Sequence, residues 1–159
     1  MPISIRRAMP ADATTLAILN ITVHQLHVDA HPERFKKLMP DNPDLIAFFD
    51  KHLADEASTI FIAEDDTDAV GYLLGILRIA PENPFVYSLH DFHIDQMSIK
   101  ETYQKQGIGQ LLMTQAFETA RALNADIISL GVAAFNQQAI GFYEGHGFVM
   151  RAHQMWQML

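Results

Sequence analysis

Gln104-Lys105-Gln106-Gly107-Ile108-Gly109 decides the fold of this chain. The stretch before it, Phe92 to Ile99, reads as a strand, and the stretch after it places Leu111, Leu112, Ala116, Ala120 and Leu123 at helical spacing. A strand that feeds a glycine turn opening a helix is a generic anion site. The first helical N–H groups have no intrahelical partner, and the helix dipole favours negative charge there. Gly107 and Gly109 remove side chains where a phosphate must approach the backbone. A dinucleotide fingerprint would need a third glycine or alanine where Leu112 stands, and a P-loop would need Gly-Lys-Ser/Thr where Gly109-Gln110-Leu111 stands. Neither applies. Lys100 and Lys105 flank the loop and can offset phosphate charge.

Outward from the loop, the chain alternates in a way that predicts an α/β domain. Ile3-Ser4-Ile5 reads as a first strand. Asp12 is placed to cap a helix carrying Leu16, Leu19, Val23 and Leu26, and Pro32 and Pro40 break that helix into a loop. Asn42-Pro43 starts a second helix, with Ile46, Phe49 and Leu53 as its core face. Ser58 to Ala63 and Val70 to Ile79 are strands around the polar turn Asp65-Asp66-Thr67-Asp68. Past the glycine loop and its helix, Ile127 to Val132 is a nearly unbroken apolar strand of the kind buried on both faces. Asn136 to Glu144 is a short helix stopped by Gly145 and Gly147, and Phe148 to Leu159 is expected to close the chain as a strand. The predicted order is β, two helices, three strands, then α, β, α, β. That is a mixed sheet with helices on its faces, in one domain over residues 1–159.

Composition limits the function. The chain has 159 residues, 49% of them hydrophobic and 19% charged, the balance of a globular domain with a real core. No apolar run approaches the roughly 20 residues of a membrane span. The N-terminus lacks a basic start followed by an apolar stretch, so the cytoplasm is the expected location. There is no cysteine, hence no disulfide, thiolate metal site or cysteine nucleophile. A net charge of -8 argues against nucleic acid or an anionic membrane as partner, and any polyanion must be held locally by backbone N–H groups and a few cations.

Two motifs in this order resemble one known family. Gln104-x-x-Gly107-x-Gly109 followed by Leu111-Leu112 is similar to the signature of the GNAT superfamily of N-acetyltransferases. Asn136-x-x-Ala139-x-x-Phe142-Tyr143-x-x-x-Gly147-Phe148 resembles its second motif, and Ile5-Arg6-Arg7-Ala8 with Pro10-Ala11-Asp12 its opening. The resemblance implies a single-domain fold whose sheet splays at the cofactor site. It implies acetyl-CoA as co-substrate, a primary amine of a small molecule, peptide or protein as acceptor, and direct transfer without a covalent intermediate or a metal. It places the pyrophosphate on Gln104, Lys105, Gln106, Gly107, Ile108 and Gly109, and the pantetheine arm along Met97, Ser98 and Ile99 and beside Asn136. A backbone N–H near Met97 becomes the oxyanion donor. Asn136 also reads as a plain N-cap, and both roles are compatible.

Tyr143 matches the tyrosine that serves many relatives as general acid toward the coenzyme sulfur, and a phenol suits that task. Packing of its ring against the core is the alternative. Strand alternation predicts His93, Asp95, Met97 and Ile99 on one face. His93 falls where several relatives carry the residue that deprotonates the amine, with Asp95 near the same water, and histidine titrates near neutral pH. His24, His27 and His31 have the spacing of metal ligands, but no His-Glu-x-x-His, cysteine or evident fourth ligand accompanies them. In the fold the resemblance implies, that segment borders the acceptor, so His27, His31, Phe35 and Tyr87 are candidate acceptor contacts. The resemblance also suggests a homodimer, with Trp156 at the contact. A coenzyme-A-binding sensor or interaction domain without turnover is the competing reading.

Overall fold

The structure, a computed structural model, describes residues 2–159. Five strands form one sheet in the order β1-β2-β3-β4-β5: β1 Ile3–Arg7, β2 Ser58–Asp65, β3 Asp68–Ala80, β4 Leu89–Ile99 and β5 Ile127–Leu130. The first four pair antiparallel and β5 joins β4 in parallel, so the sheet is mixed as expected. Four α-helices cover it: α1 Ala13–Ala30, α2 Pro43–Ala54, α3 Ile108–Ala122 and α4 Gln137–Gly145. None is long and apolar enough to cross a membrane among the described residues.

Alternation along the central strands supplies two cores. Ile60, Ile62, Tyr72 and Leu74 point to one face, where Leu16, Leu19 and Phe49 of α1 and α2 cover them. Phe61, Ala63, Leu73, Phe92 and Ile94 point to the other, against Leu112, Met113 and Ala116 of α3. Phe49 and Tyr72 are both fully buried and meet edge to face, 5.6 Å between ring centroids. The Asn42 side chain accepts from the Asp44 and Leu45 amides, as its place before Pro43 predicts.

Three expectations need correction. Asp12 does not cap α1 with its side chain. Its carboxylate takes the Met9 amide at 2.7 Å and two Arg6 guanidinium nitrogens at 2.8 and 2.9 Å, and that bidentate pair outcompetes a neutral amide. β5 stops at Leu130, and its residues are half buried because the strand lies at the sheet edge. Residues 149–159 are not a strand: no ladder partner receives them, and their backbone makes no hydrogen bond among the described residues.

Candidate active site

β4 carries the decisive irregularity. Leu74 faces Gln96 and Gly75 faces Ile94, so Asp95 is an extra residue with no opposite number, a β-bulge. The bulge shifts the side-chain alternation by one. Before it Phe92 and Ile94 face α3; after it Met97 and Ile99 do. The expected common face of His93, Asp95, Met97 and Ile99 is therefore broken between His93 and Met97.

The bulge also marks where the sheet opens. β4 and β5 pair only from Asp91–Ile127 to Ile94–Leu130, and beyond that point the two chains separate. A cavity of about 810 Å³ fills the gap, between Asp95 to Ile99 on one side and Gly131 to Ala133 on the other, and extends to α1, the glycine loop and α4. The Lys100 amide donates to Val70 O at 2.8 Å, so two residues earlier Ser98 also turns its backbone toward β3. Met97 and Ile99 then present theirs to the open side. Gln104 Nε2 donates to Ile99 O at 3.1 Å, while the Met97 amide faces the gap. The Ser98 side chain is buried and donates to Leu19 O at 2.6 Å, which ties β4 to α1.

The glycine loop follows directly. Lys105 and Gly107 adopt positive φ, 60° and 85°, and α3 begins at Ile108. No acceptor among the described residues meets the amides of Lys105, Gln106, Gly107, Ile108, Gly109 or Gln110, and the next amide, Leu111, closes the first helical bond to Gly107 O. Six successive N–H groups at a helix N-terminus form an anion cradle. A Cβ added to Gly107 would meet nothing within 4 Å, so the space beside the loop is open. These residues fit a pyrophosphate.

α4 closes the cavity from the far side. Asn136 caps it by accepting the Ala139 amide at 3.1 Å and also lines the cavity, so both of its expected roles are open to it. Tyr143 reaches the cavity with its ring packed against Phe142 and Phe148, and burial pushes its phenol up to about 12. It keeps its proton throughout the physiological range.

The two base candidates separate. Asp95, lifted out of the ladder by the bulge, lines the cavity and is exposed. His93 does not line it. Ser129 gives its one proton to Asp91 Oδ2 at 2.7 Å, so at 2.9 Å it receives the Nδ1–H of His93, which leaves Nε2 with a free lone pair. Burial, helped by Arg78, holds His93 below the ordinary histidine range against the opposing pull of Asp91 and Asp95.

At the other end of the cavity stands the inner face of α1. Asn20 donates to Tyr72 Oη at 2.9 Å and to Gln96 Oε1 at 3.2 Å, and Tyr72 donates to the same Gln96 oxygen at 2.6 Å. Both amides line the cavity, and sequence reasoning missed them. Asn20 is visible in hindsight as a polar residue beside the apolar stripe of α1, whereas Gln96 needed the bulge. His27 and Phe35 line the cavity as expected, their rings 5.1 Å apart. His31 stands just outside, between Phe135 and Trp156 at 5.9 and 6.0 Å. Tyr87 is 87% exposed on the β3–β4 loop and does not line the cavity; nor do Gln106 and Ile108, the latter being buried in the core. His24 and His27 hold their own backbone, His24 Nε2 at Lys36 O (2.6 Å) and His27 Nδ1 at Val23 O (3.0 Å).

A sheet that opens at a bulge onto an amide cradle, with a second motif helix across the gap, defines the class. The chain belongs to the Acetyltransferase (GNAT) family, whose profile matches residues 20–148. It is 28% identical over 104 residues, 64% of this chain, to an N-alpha-acetyltransferase of Sulfurisphaera tokodaii, of which the match spans 62% of the length. A tetramutant of a Bacillus halodurans protein superposes with a TM-score of 0.91 at 26% identity, over 98% of this chain and 99% of that one. An aminoglycoside N-acetyltransferase solved in complex with CoA shares the fold, with a TM-score of 0.75 at 14% identity over 99% and 95% of the two chains.

Proposed function

We propose that this single domain, working in the cytoplasm, is an N-acetyltransferase that moves acetyl directly from acetyl-CoA to a primary amine. The observation that carries the reading is the row of six acceptor-less amides from Lys105 to Gln110 at the open end of the β4–β5 gap. Such a row binds a pyrophosphate without needing a basic protein, which reconciles a polyanionic co-substrate with a net charge of -8. Family membership and the coenzyme A complex of an enzyme with the same fold support it.

The chemistry then assigns itself along the cavity. The gap-facing Met97 amide stabilises negative charge on the thioester oxygen as the amine attacks. Asp95, exposed in the cavity, attracts and orients the acceptor ammonium. His93, neutral and with Nε2 free, takes the amine proton through water next to Asp95. Tyr143, held protonated by burial, gives its proton to the departing sulfur. His27, Phe35, Asn20 and Gln96 shape the acceptor end, and the acidic surface favours a cationic acceptor.

Thiol release from acetyl-CoA across a panel of primary amines, beside calorimetric binding of coenzyme A, tests the proposal. Release with at least one amine is expected. Binding without release on any amine would make the chain a coenzyme-A-binding sensor instead.

A further inference from the structure

The acceptor end of the cavity is sparing with charge and rich in rings. Among the described residues that line the cavity, Asp95 is the one carboxylate, and Lys105 in the glycine loop is the one formal cation. Burial pushes the Tyr72 phenol up, its bond from Asn20 opposes the rise, and the Asp95 charge adds to it. The Asp95 carboxylate therefore lies within electrostatic reach of the network that joins Asn20, Tyr72 and Gln96. Asn20, only 6% exposed, spends its amide N–H groups on Tyr72 Oη and Gln96 Oε1. Its Oδ1 accepts no hydrogen bond among the described residues. One carboxylate and one open amide oxygen suit one ammonium group.

Rings supply the rest of the wall. His27 lies 5.1 Å from Phe35 and His24 meets the same ring edge-on at 6.2 Å, and all three line the cavity beside Val23 and Leu26. Each histidine donates one ring N–H to a main-chain carbonyl, Lys36 O or Val23 O, which holds the two rings in place. Arg34, exposed and outside the lining, carries its guanidinium carbon 5.9 Å from the Phe35 centroid. A second ammonium on the acceptor would find no carboxylate at this wall and would face Arg34 instead. We propose that the acceptor is a monoamine with an aromatic body, its ammonium at Asp95 and Asn20 and its ring against Phe35 and His27. Edge and face contacts with those rings favour a flat guest. The proposal rests on the acetyltransferase reading and narrows it, because an acidic surface by itself admits polyamines equally well.

Thiol release from acetyl-CoA by the full chain, read as kcat/KM, compares phenethylamine with propylamine and with spermidine. Phenethylamine should exceed both by at least about tenfold. Phe35→Ala should bring its ratio to propylamine toward unity, mainly through KM for the amine. Leu26→Glu adds a carboxylate to the ring-lined wall at a helix position already 46% exposed, where a charge does not disturb the core. It should raise kcat/KM for spermidine about tenfold relative to phenethylamine. Propylamine or spermidine used as well as phenethylamine by the native chain overturns the proposal and leaves the acetyltransferase reading standing. Release with other amines but not with phenethylamine does the same, as does a ring preference that both variants leave untouched. Coenzyme A binding without release on any amine overturns both.

Discussion

A Cβ placed on Gly109 would lie 3.0 Å from two carbons of the Phe142 ring, so α3 and α4 touch where only glycine fits without displacement. The contact couples the two halves of the site, because Gly109 belongs to the amide cradle and Phe142 precedes Tyr143. Gly109→Ala is expected to destabilise the fold by about 1–3 kcal/mol through overpacking. At this chain length that lowers Tm by several degrees in a thermal melt. Gly109→Ala/Phe142→Leu should cost less than the sum of the single changes, since the smaller side chain admits the methyl group. Strict additivity would mean that the helices do not meet there.

Tyr143→Phe is expected to lower kcat by about 10²-fold with a much smaller change in KM for acetyl-CoA, since only the proton donor is lost. The phenol is raised to about 12 and stays protonated below that value. The native enzyme should therefore show no alkaline loss of kcat from this group between neutral pH and ~10. An unaltered kcat in the variant would remove Tyr143 from the chemistry.

His93 and Asp95 should separate in a pH–rate study. His93 is held below its ordinary value, so it is neutral at pH 7 and loses its function as pH falls and it becomes protonated. An acid limb of kcat/KM below ~6.5 is expected in the native enzyme, and its disappearance, with a residual pH-independent rate, in His93→Gln. Asp95→Asn should mainly raise KM for the amine. If Asp95→Asn rather than His93→Gln abolishes the limb, the carboxylate is the base.

The Arg6–Asp12 pair predicts a pH dependence of stability. The hydrogen bonds from Arg6, and then that from the Met9 amide, hold the Asp12 carboxyl below the usual carboxylate range against the opposing effect of burial. A depressed folded-state value means the stabilisation is complete above the unfolded value near 4 and is lost as pH falls through the folded one. Asp12→Asn should cost about 1–3 kcal/mol at pH 7 and flatten the acid-side loss in urea titrations. Parallel curves for variant and native chain would show that the pair does not carry it.

What could be read from the sequence follows from where local signals dominate. The glycine loop, the Asn42-Pro43 helix start and the Asn136 cap announce themselves within a few residues, and all three stand where expected. The bulge at Asp95 is a relation between two strands, set by Leu74 and Gly75 opposite, so counting by twos along β4 alone put His93 and Met97 on one face. The amide pair Asn20 and Gln96 escaped for the same reason, being joined across 76 positions. The tail at residues 149–159 has strand composition but no ladder partner among the described residues, and composition cannot supply one.

Coenzyme A affinity at Gly107 tests the central claim most directly. The residue has φ 85° and open space beside it, so Gly107→Asn, which tolerates that backbone, serves as the control for strain. Gly107→Glu puts a carboxylate where the pyrophosphate is proposed to lie. Calorimetry should find coenzyme A bound at least about tenfold more weakly to Gly107→Glu than to Gly107→Asn, a loss of roughly 1.4 kcal/mol or more, with both variants folded. Equal affinity in the two variants would contradict the placement of the pyrophosphate on this loop.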